Sequence, residues 1–360
     1  MDFQHLESWL RFQQTEGIGR VYSQRLLDLY GEPSNFMGQD LDLPDLPRKV
    51  LDQIRDNKRV NNFEQVCKLI ENYEIKYLTC LDKDYPQGLR NIFSPPLMLF
   101  YRGQLPQDAW NNTLAIVGTR RADNYGKYIT EKISRELSAK GVIIVSGLAY
   151  GVDTIAHKAC LASGGKTLAV MATGCDQIYP PENRRLAEKI IENGAICSEY
   201  VPGVVAERYF FPQRNRIISA LSMGTLVVQG KKSSGAMLTA KYAIDQNKEL
   251  FAIPGQINNP LSEGPNYLIK NGAWMVTESE DILSSFINTN YVEQLTIFPE
   301  LSNEEKVVYN YIKQENRPVY YDEIIINTKI QMSKLSSLLM NLELKGVIQA
   351  QGGNKYIYLY

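Results

Sequence analysis

Residues 114–147 read LAIVGTRRADNYGKYITEKISRELSAKGVIIVSG and carry the clearest structural signal in the chain. The stretch begins and ends with short β-branched apolar runs, LAIVG and VIIVS, separated by a segment of helical length and composition. Strands that are apolar on both faces are typical of parallel sheets covered by helices on both sides. The stretch therefore predicts a strand, a helix and a second, parallel strand.

The same alternation continues to residue 276. The intervals between the apolar runs have the length of helices, so the chain is predicted to be an α/β protein. We expect an extended Rossmann-like, doubly wound, mostly parallel sheet that binds its ligand at the carboxyl ends of the strands. The predicted strands are LAIVG (114–118), VIIVS (142–146), TLAVM (167–171), AICS (195–198), TLVVQ (225–229), ELFAI (249–253) and AWMV (273–276).

Further parts are predicted on either side of this sheet. Residues 1–66 have helical periodicity around a Gly-Ile-Gly turn and predict a helix-hairpin-helix or SAM-like module. We assign 67–288 to the sheet domain and 289–299 to a linker. Residues 300–360 read as three helices and an alternating hairpin, which is the order of a winged-helix domain.

The composition excludes several function classes. The 360 residues have a formal net charge of −1, so any nucleic-acid site has to be local. Residues 111–290 are the net-positive part, with 19 basic and 16 acidic side chains. No apolar run of about 18 residues and no secretory leader is visible, so we expect a cytoplasmic protein that does not enter the membrane.

The cysteines and histidines do not predict a metal centre. The five cysteines are at least 13 positions apart, which excludes Cys-x-x-Cys ligand pairs and a disulfide framework. Asp153 and His157 stand four apart on a predicted helix, a spacing that two metal ligands can have, but no third ligand accompanies them. We expect a structural role for this pair, and we predict no metal and no cofactor.

Small and hydroxyl side chains follow four of the predicted strands. Backbone N–H groups are accessible to an anion at such turns, and a helix start adds further N–H groups. Four such turns at one sheet edge predict an extended trough for a polyanion rather than a pocket for one nucleotide. Arg120 adds a side chain that can bind a phosphate through two hydrogen bonds. The residues assigned to the trough are Gly118, Thr119, Arg120, Ser146, Gly147, Gly174, Ser234 and Gly235.

A second signal lies in FFPQRNRII, residues 210–218. Arg214, Asn215 and Arg216 stand at a predicted helix start, preceded by two phenylalanines, a proline and Gln213. Cations beside aromatic rings combine phosphate binding with base stacking. At least one of the two phenylalanines can instead belong to the core.

These segments together resemble the DprA/Smf family of DNA-processing proteins. The resemblance extends from about residue 80 to 285, and the segments occur in the family's order. The helical module and the winged-helix tail also resemble parts that many members carry. The matching segments are DYP (84–86), SPP (94–96), YRG (101–103), AIVGTRRADNYG (115–126), SGLAYGVDTIAHKA (146–159), TGCDQIYPPENRRL (173–186), SEY (198–200), FPQRNRIISALS (211–222), SGAMLTAKYA (234–243), AIPG (252–255) and EGPNYLIKNGA (263–273).

The resemblance implies a recombination mediator that is not an enzyme. Such a protein binds and protects single-stranded DNA and helps to load the RecA recombinase, as in natural transformation. By the same resemblance, Arg214, Asn215 and Arg216 join the trough residues as phosphate contacts. The family is thought to dimerise through the end of its Rossmann-like domain, which places Leu268 and Ile269 at a homodimer interface.

The chain departs from the family pattern at two positions. Gln213 occupies a position that is often basic, which puts one phosphate contact in doubt. Gln229 stands where many members have glutamate, and we expect this change to affect only a strand end.

An enzymatic alternative stays open beside this interpretation. The phosphoribohydrolases of the lysine-decarboxylase-like group bind nucleoside monophosphates on a similar sheet and carry a PGGxGTxxE signature. The corresponding segment here is KKSSGAMLTAKYA (231–243), which places Thr239 and Lys241 on a helix without a suitably placed glutamate. Neither GxGxxG nor GxxxxGK[ST] follows the first strand, so a nicotinamide or Walker-type site is not supported.

Overall fold

The structure is a computed structural model that describes residues 3–56, 60–106, 109–285, 301–315, 317–328, 330–345, 347–351 and 354–358. The chain divides after Ser284 into a larger and a smaller compact unit. The predicted linker, 289–299, lies outside the described residues.

The larger unit is built on a sheet of nine strands among its described residues. The strands are β1 (Lys76–Thr79), β2 (Met98–Gly103), β3 (Thr113–Val117), β4 (Ile143–Ser146), β5 (Thr167–Val170), β6 (Gly194–Ser198), β7 (Gly224–Val227), β8 (Glu249–Ala252) and β9 (Trp274–Met275). Their order across the sheet is β1-β2-β6-β5-β4-β3-β7-β8-β9.

Strands β3 to β9 pair in parallel, which confirms the predicted doubly wound topology. The chain winds outward from β3 to β6 and then returns to β7, which pairs with the other side of β3. The direction of winding therefore reverses between β3 and β7. Ligands of open α/β sheets bind at such a switch point, outside the carboxyl ends of the strands.

Strands β1 and β2 were not among the predicted strands. They form an antiparallel extension, in which β2 pairs with β1 on one side and with β6 on the other. Only a helix of four residues, Gln87–Arg90, stands between them in the described chain, so the alternation of strands with long helical intervals that reveals the other seven strands is missing. The antiparallel pairing is specified by contacts with β6, which lies almost 100 residues further along the chain.

Helices cover both faces of the sheet. Successive residues of a strand enter different hydrophobic clusters: Ala169 belongs to one, and its neighbours Leu168 and Val170 belong to the other. This alternation explains why the strands are apolar throughout. The helices of the larger unit are α1 (Phe3–Gln13), α2 (Arg20–Tyr30), α3 (Arg48–Arg55), α4 (Phe63–Asn72), α5 (Gln87–Arg90), α6 (Asn124–Ala139), α7 (Val152–Ala162), α8 (Arg184–Glu192), α9 (Phe210–Ala220), α10 (Gly235–Asp245), α11 (Glu263–Lys270) and α12, which covers 279–285.

The amino-terminal helices share a core with the sheet. Trp9, Phe12 and Phe36 are fully buried in the same cluster as Phe100 of β2 and Ile196 of β6. The predicted boundary after residue 66 falls inside α4. The helices therefore pack as part of the larger unit, because their apolar faces are buried against one face of the sheet.

The smaller unit has winged-helix order, as predicted. Its elements are α13 (Asn303–Glu315), β10 (Val319–Tyr320), α14 (Tyr321–Thr328), α15 (Met332–Leu344), β11 (Ile348–Gln351) and β12 (Lys355–Tyr358). The three strands pair in the order β10-β12-β11, and the unit has its own buried cluster. Helix α13 begins with a reciprocal capping box, because the Ser302 N–H donates to Glu305 (2.7 Å) and the Glu305 N–H donates to Ser302 Oγ (3.2 Å).

Candidate nucleic-acid interface

A small pocket opens at the carboxyl edge of the sheet, beside the switch point. Its volume is about 20 Å³, which is too small to enclose a nucleotide. Part of its wall comes from the turns after β3, β4 and β5. The lining residues are Arg120, Gly147, Ala149, Tyr150, Ala172, Tyr179, Pro180, Phe211 and Arg214.

The rim of the pocket combines one exposed cation with aromatic rings. The guanidinium carbon of Arg120 lies 5.5 Å from the centre of the Phe211 ring, and the Phe211 and Tyr179 rings are 5.4 Å apart. Tyr150 and Tyr179 remain 42% and 43% exposed. Arg120 and Phe211 were predicted from the sequence, whereas both tyrosines were not, although they stand in the segments SGLAYG and QIYPP that resemble the family.

The turn that carries Arg120 is fixed by β7 and α7. The Thr119 N–H donates to the Gln229 carbonyl (2.7 Å), and the Thr119 carbonyl accepts from the Val152 N–H (3.2 Å). A Cβ on Gly118 would lie 2.5 Å from a methyl group of Val152, so only glycine fits this close approach. Exposed Arg120 and its exposed neighbour Arg121 are thereby held on a rigid turn.

Gln229 supports the residue that caps α6, a larger role than the effect on a strand end predicted from the sequence. Its side chain is buried and donates through Nε2 to Asp123 Oδ1 (2.9 Å). Asp123 caps α6 by accepting from the Gly126 N–H and also accepts from Asn259 Nδ2 (2.8 Å). These bonds lower the pKa of Asp123, the cap bond being the largest cause. A neutral donor at position 229 suits this carboxylate, whereas a glutamate there would place two carboxylates side by side.

The turn after β4 uses its polar groups within the fold. Ser146 is buried and donates to the Ile116 carbonyl (2.6 Å), and the Gly147 and Ala149 N–H groups donate to Asp153 Oδ2 (3.1 and 3.4 Å). The prediction that Ser146 and Gly147 present donors to a phosphate therefore needs correction. The turn forms a wall of the pocket instead, because an internal carboxylate takes its N–H groups.

Arg214 also differs from its predicted position. Helix α9 begins at Phe210, so Arg214 lies in its second turn and not at its start. Arg214 is only 4% exposed, and its Nη1 donates to the carbonyls of Gly147 (2.8 Å) and Val170. Arg214 thus lies at the base of the pocket with two backbone partners. This position does not favour direct contact with a phosphate at the surface.

The remaining predicted contacts fall into two groups. Gly174 is buried with its N–H bound to the Val204 carbonyl (2.9 Å), and the half-buried Arg216 forms an ion pair with Glu199. Asn215 is different, because its Nδ2 donates to the Gly235 carbonyl (3.3 Å) at the start of α10. Asn215, Ser234 and Gly235 therefore form a second cluster, separate from the pocket but on the same edge.

Asp153 and His157 do not form a ligand pair. His157 Nδ1 is 2.7 Å from Thr167 Oγ1, while Asp153 faces the turn after β4. Burial lowers the pKa of His157 to about 3 and raises the pKa of Asp153 to about 6, with Arg214 opposing the second shift. Across the described ranges, no group of three or more His, Cys, Asp or Glu side chains could hold a metal ion.

Acid is expected to destabilise the larger unit through His157. The unfolded side chain takes up a proton below pH 6.5 but the folded one only near pH 3, so stability falls by about 1.4 kcal/mol per pH unit between these values. Asp153 acts in the opposite direction between pH 6 and 3.8, because its raised pKa lets the folded state bind a proton first.

Replacement of His157 by glutamine separates the two effects. The free energy of unfolding of the unchanged protein should fall relative to that of His157→Gln as the pH is lowered from 6.5. Denaturant titrations followed by tryptophan fluorescence measure this, since Trp9, Trp110 and Trp274 all lie in the larger unit. Parallel pH curves for the two proteins would show that His157 is not held neutral.

The two residues predicted to form the dimer interface, Leu268 and Ile269, pack inside the same chain. Leu268 is 6% exposed and packs in the cluster of the same chain that contains Ala236 and Ala240, and Ile269 packs partly against this cluster. Leu268 is therefore a core residue, because the face of α11 that carries it points toward the sheet. The outer face of α11 presents Tyr267, which is 46% exposed.

A fold of this class, with a carboxyl-edge pocket of arginine and aromatic rings and a separate winged helix, has clear relatives. Residues 76–287 match the family described as DNA recombination-mediator protein A, and residues 298–354 match the DprA winged-helix domain. The chain is 33% identical to Protein Smf of Synechocystis over 97% of both chains. It is 37% identical to the DNA processing protein DprA of Bacillus subtilis, over 69% of this chain and 86% of that one.

Solved structures agree with these matches. The X-ray structure of DprA from Streptococcus pneumoniae has a TM-score of 0.65 at 31% identity, covering 77% of this chain and 95% of that one. A Helicobacter pylori structure, reported for the single-stranded DNA binding mode of DNA processing protein A, has a TM-score of 0.54 at 30% identity, covering 60% and 97%. The chain belongs to the DprA/Smf family.

Proposed function

We propose that this protein is a single-stranded-DNA-binding recombination mediator that binds the strand along the carboxyl edge of its sheet. One observation carries the proposal: an exposed arginine lies over an aromatic ring at the rim of a pocket too small for a whole nucleotide. A strand can lie across such a rim, with a phosphate on the guanidinium and bases on the rings.

The charges at this edge support phosphate binding. Arg120 and Arg121 are exposed, and neither forms an ion pair with any residue that the structure describes. Lys231 is exposed just before Ser234 and Gly235, where α10 begins. The edge thus offers free cations both at the pocket and beside the second cluster.

The exposed rings favour a single strand over a duplex. Tyr150, Tyr179 and the half-exposed Phe211 surround the pocket, and Tyr209 near the start of α9 is 54% exposed. Bases can stack on these rings only when they are not paired in a double helix. We therefore expect little dependence on base identity and a steep dependence on salt.

The hydrolase alternative has less support. Thr239, which lies where that group has its signature helix, is buried to 1% exposure, and the segment lacks the glutamate. The pocket volume of about 20 Å³ also does not suit a nucleoside monophosphate. We propose that the protein has no catalytic activity.

Assistance to RecA and homodimerisation belong to the same proposal. The family's description as a recombination mediator supports RecA as the partner that receives the strand.

For the homodimer, we propose that the interface is formed by exposed residues at the end of the sheet and not by Leu268. Trp274 and Met275 of edge strand β9 are 60% and 54% exposed, close in sequence to exposed Tyr267.

The described residues include no helix long and apolar enough to span a membrane. We propose a cytoplasmic location.

Titration with labelled oligonucleotides tests the proposed function. Purified protein is titrated with a single strand and with its hairpin duplex at several salt concentrations, and nucleoside monophosphates are incubated with the same protein to detect release of the free base. We expect tighter binding of the single strand and no release. Equal affinity for both forms at about 150 mM salt, or base release, would contradict the proposal.

Removal of the winged helix is expected to leave most single-strand affinity in place. Several cations in the described part of this unit are paired with glutamates: Lys334 with Glu304 (2.6 Å) and Lys345 with Glu305 (2.7 Å). Arg317 pairs with two glutamates. A chain ending at residue 285 should bind a 20-nucleotide strand within about threefold of the full chain, because phosphate contacts require free cations. Loss of binding in the truncated protein would place the site in the tail.

A further inference from the structure

Arg214 joins the ends of two neighbouring strands beneath the pocket. Its Nη1 donates to the carbonyl of Gly147, which directly follows β4, and to the carbonyl of Val170, the last residue of β5. The guanidinium is packed so closely that a Cβ on Gly147 would lie 2.6 Å from Nη2. Arg214 therefore supports the turn after β4 from below.

That turn is constrained from its other side as well. Asp153 Oδ2 accepts from the N–H groups of Gly147 and Ala149. Leu148 between them has a φ of 55°, which is unusual for a branched side chain, and its carbonyl accepts from Asn183 Nδ2 (2.9 Å). A backbone in this conformation persists only when its surroundings fix it.

The turn after β4 lies directly against the turn that carries Arg120. A Cβ on Gly151 would lie 2.3 Å from the Thr119 carbonyl oxygen and 2.6 Å from the Arg120 carbonyl carbon. The Val152 N–H donates to the same Thr119 oxygen. Continuous contacts therefore connect buried Arg214 to the backbone of exposed Arg120.

We propose that Arg214 is a positioning residue of the DNA site, which acts through these two turns to hold Arg120 over Phe211. The inference rests on the proposed function and adds to it a role for a residue that does not itself contact DNA. Arg214 therefore contributes to single-strand affinity only as long as Arg120 is present.

A double-mutant cycle tests this dependence. Affinity for a labelled 20-nucleotide strand is measured for the unchanged protein, Arg120→Ala, Arg214→Met and the double variant. We expect each single change to weaken binding about 5- to 150-fold and the double variant to bind within about twofold of the weaker single variant. Two factors that multiply in the double variant, or an Arg214→Met protein with unchanged affinity, would overturn the proposal.

A parallel cycle distinguishes positioning from general loosening of the fold. Lys231→Ala removes a cation beside the second cluster. Arg214 reaches this cluster through Asn215, whose Oδ1 accepts from Arg214 Nε (3.2 Å), and not through Lys231. The factor of Lys231→Ala should therefore multiply with that of Arg214→Met. Coupling in both cycles would show that Arg214→Met only disturbs the fold and would overturn the proposal. An unchanged protein that fails to bind single strands would instead contradict the proposed function.

Two further variants keep the test sound if Arg214→Met folds poorly. Arg214 and Asp153 are buried opposite charges, and each shifts the pKa of the other. Removing one leaves the other without compensation, whereas neutralising both is tolerated better. The cycle is therefore repeated with Asp153→Asn/Arg214→Met in place of Arg214→Met, and the same coupling with Arg120→Ala is expected. Arg214→Lys should restore part of the affinity, because an ammonium group can reach one of the two carbonyls.

Discussion

Replacement of Arg120 by alanine is expected to weaken single-strand binding by about 1 to 3 kcal/mol, or about 5- to 150-fold. Arg120 is the exposed cation at the pocket rim, and its stacking on Phe211 keeps the guanidinium oriented before DNA arrives. Loss of one phosphate contact should also reduce the slope of log affinity against log salt by about one unit. Fluorescence anisotropy titrations at four salt concentrations give both quantities.

Two control variants make this result specific. Arg135→Ala removes an exposed arginine of α6 that pairs with Glu131, and it should leave affinity nearly unchanged. Arg120→Lys keeps the charge but loses the planar group, so it should restore binding only in part. If Arg120→Ala keeps both the affinity and the salt slope while its fold is intact, the turn after β3 is not part of the DNA site.

Gly151→Ala is expected to cost about 2 to 6 kcal/mol of the free energy of unfolding. Gly151 has a φ of 77° and a ψ of −124°, a region that costs other residues about 1 to 3 kcal/mol. Its new Cβ would also lie 2.3 Å from the Thr119 carbonyl oxygen, and such overpacking costs about 1 to 3 kcal/mol more. Because backbone has to move, single-strand affinity should fall together with stability.

Gly164→Ala provides the matched control at the other end of α7. Gly164 also has a positive φ, 73°, but no heavy atom lies within 4 Å of a Cβ built on it. We expect only the conformational cost, about 1 to 2 kcal/mol, with DNA affinity unchanged. Urea titrations followed by tryptophan fluorescence compare the two variants. Equal destabilisation would show that the two turns are not in tight contact.

The inner parallel strands could be predicted because burial on both faces makes them almost continuously apolar, whereas edge strand β9 was predicted from two apolar residues, Trp274 and Met275, that stay exposed. TLAV in β5, for example, is buried at every position. Strand β1, KYLT, has only one buried residue, and its pairing depends on β2, so its local pattern is weak. The core that the amino-terminal helices share with the sheet could not be predicted for a similar reason, since Trp9 and Phe12 are buried against partners far away in the chain.

The site could be located from sequence more easily than its contacts could be assigned. Glycine and hydroxyl residues after the strands predict a site at the carboxyl edge, yet Ser146 and Gly147 bond to groups of the same fold. Arg214 and Arg216 are two residues apart and look equivalent in sequence. Only the packing of α9 against β5 shows that one guanidinium ends among backbone carbonyls while the other meets Glu199.

Photo-cross-linking shows whether the strand lies across the carboxyl edge of the sheet. A single strand with 5-iodouracil at successive positions is irradiated in complex with the full chain, and the linked peptides are identified by mass spectrometry. We expect cross-links at the exposed rings of this edge, Tyr150, Tyr179 and Phe211, which are lost when an unlabelled strand competes. Cross-links confined to α15 of the winged helix or to the amino-terminal helices would contradict it.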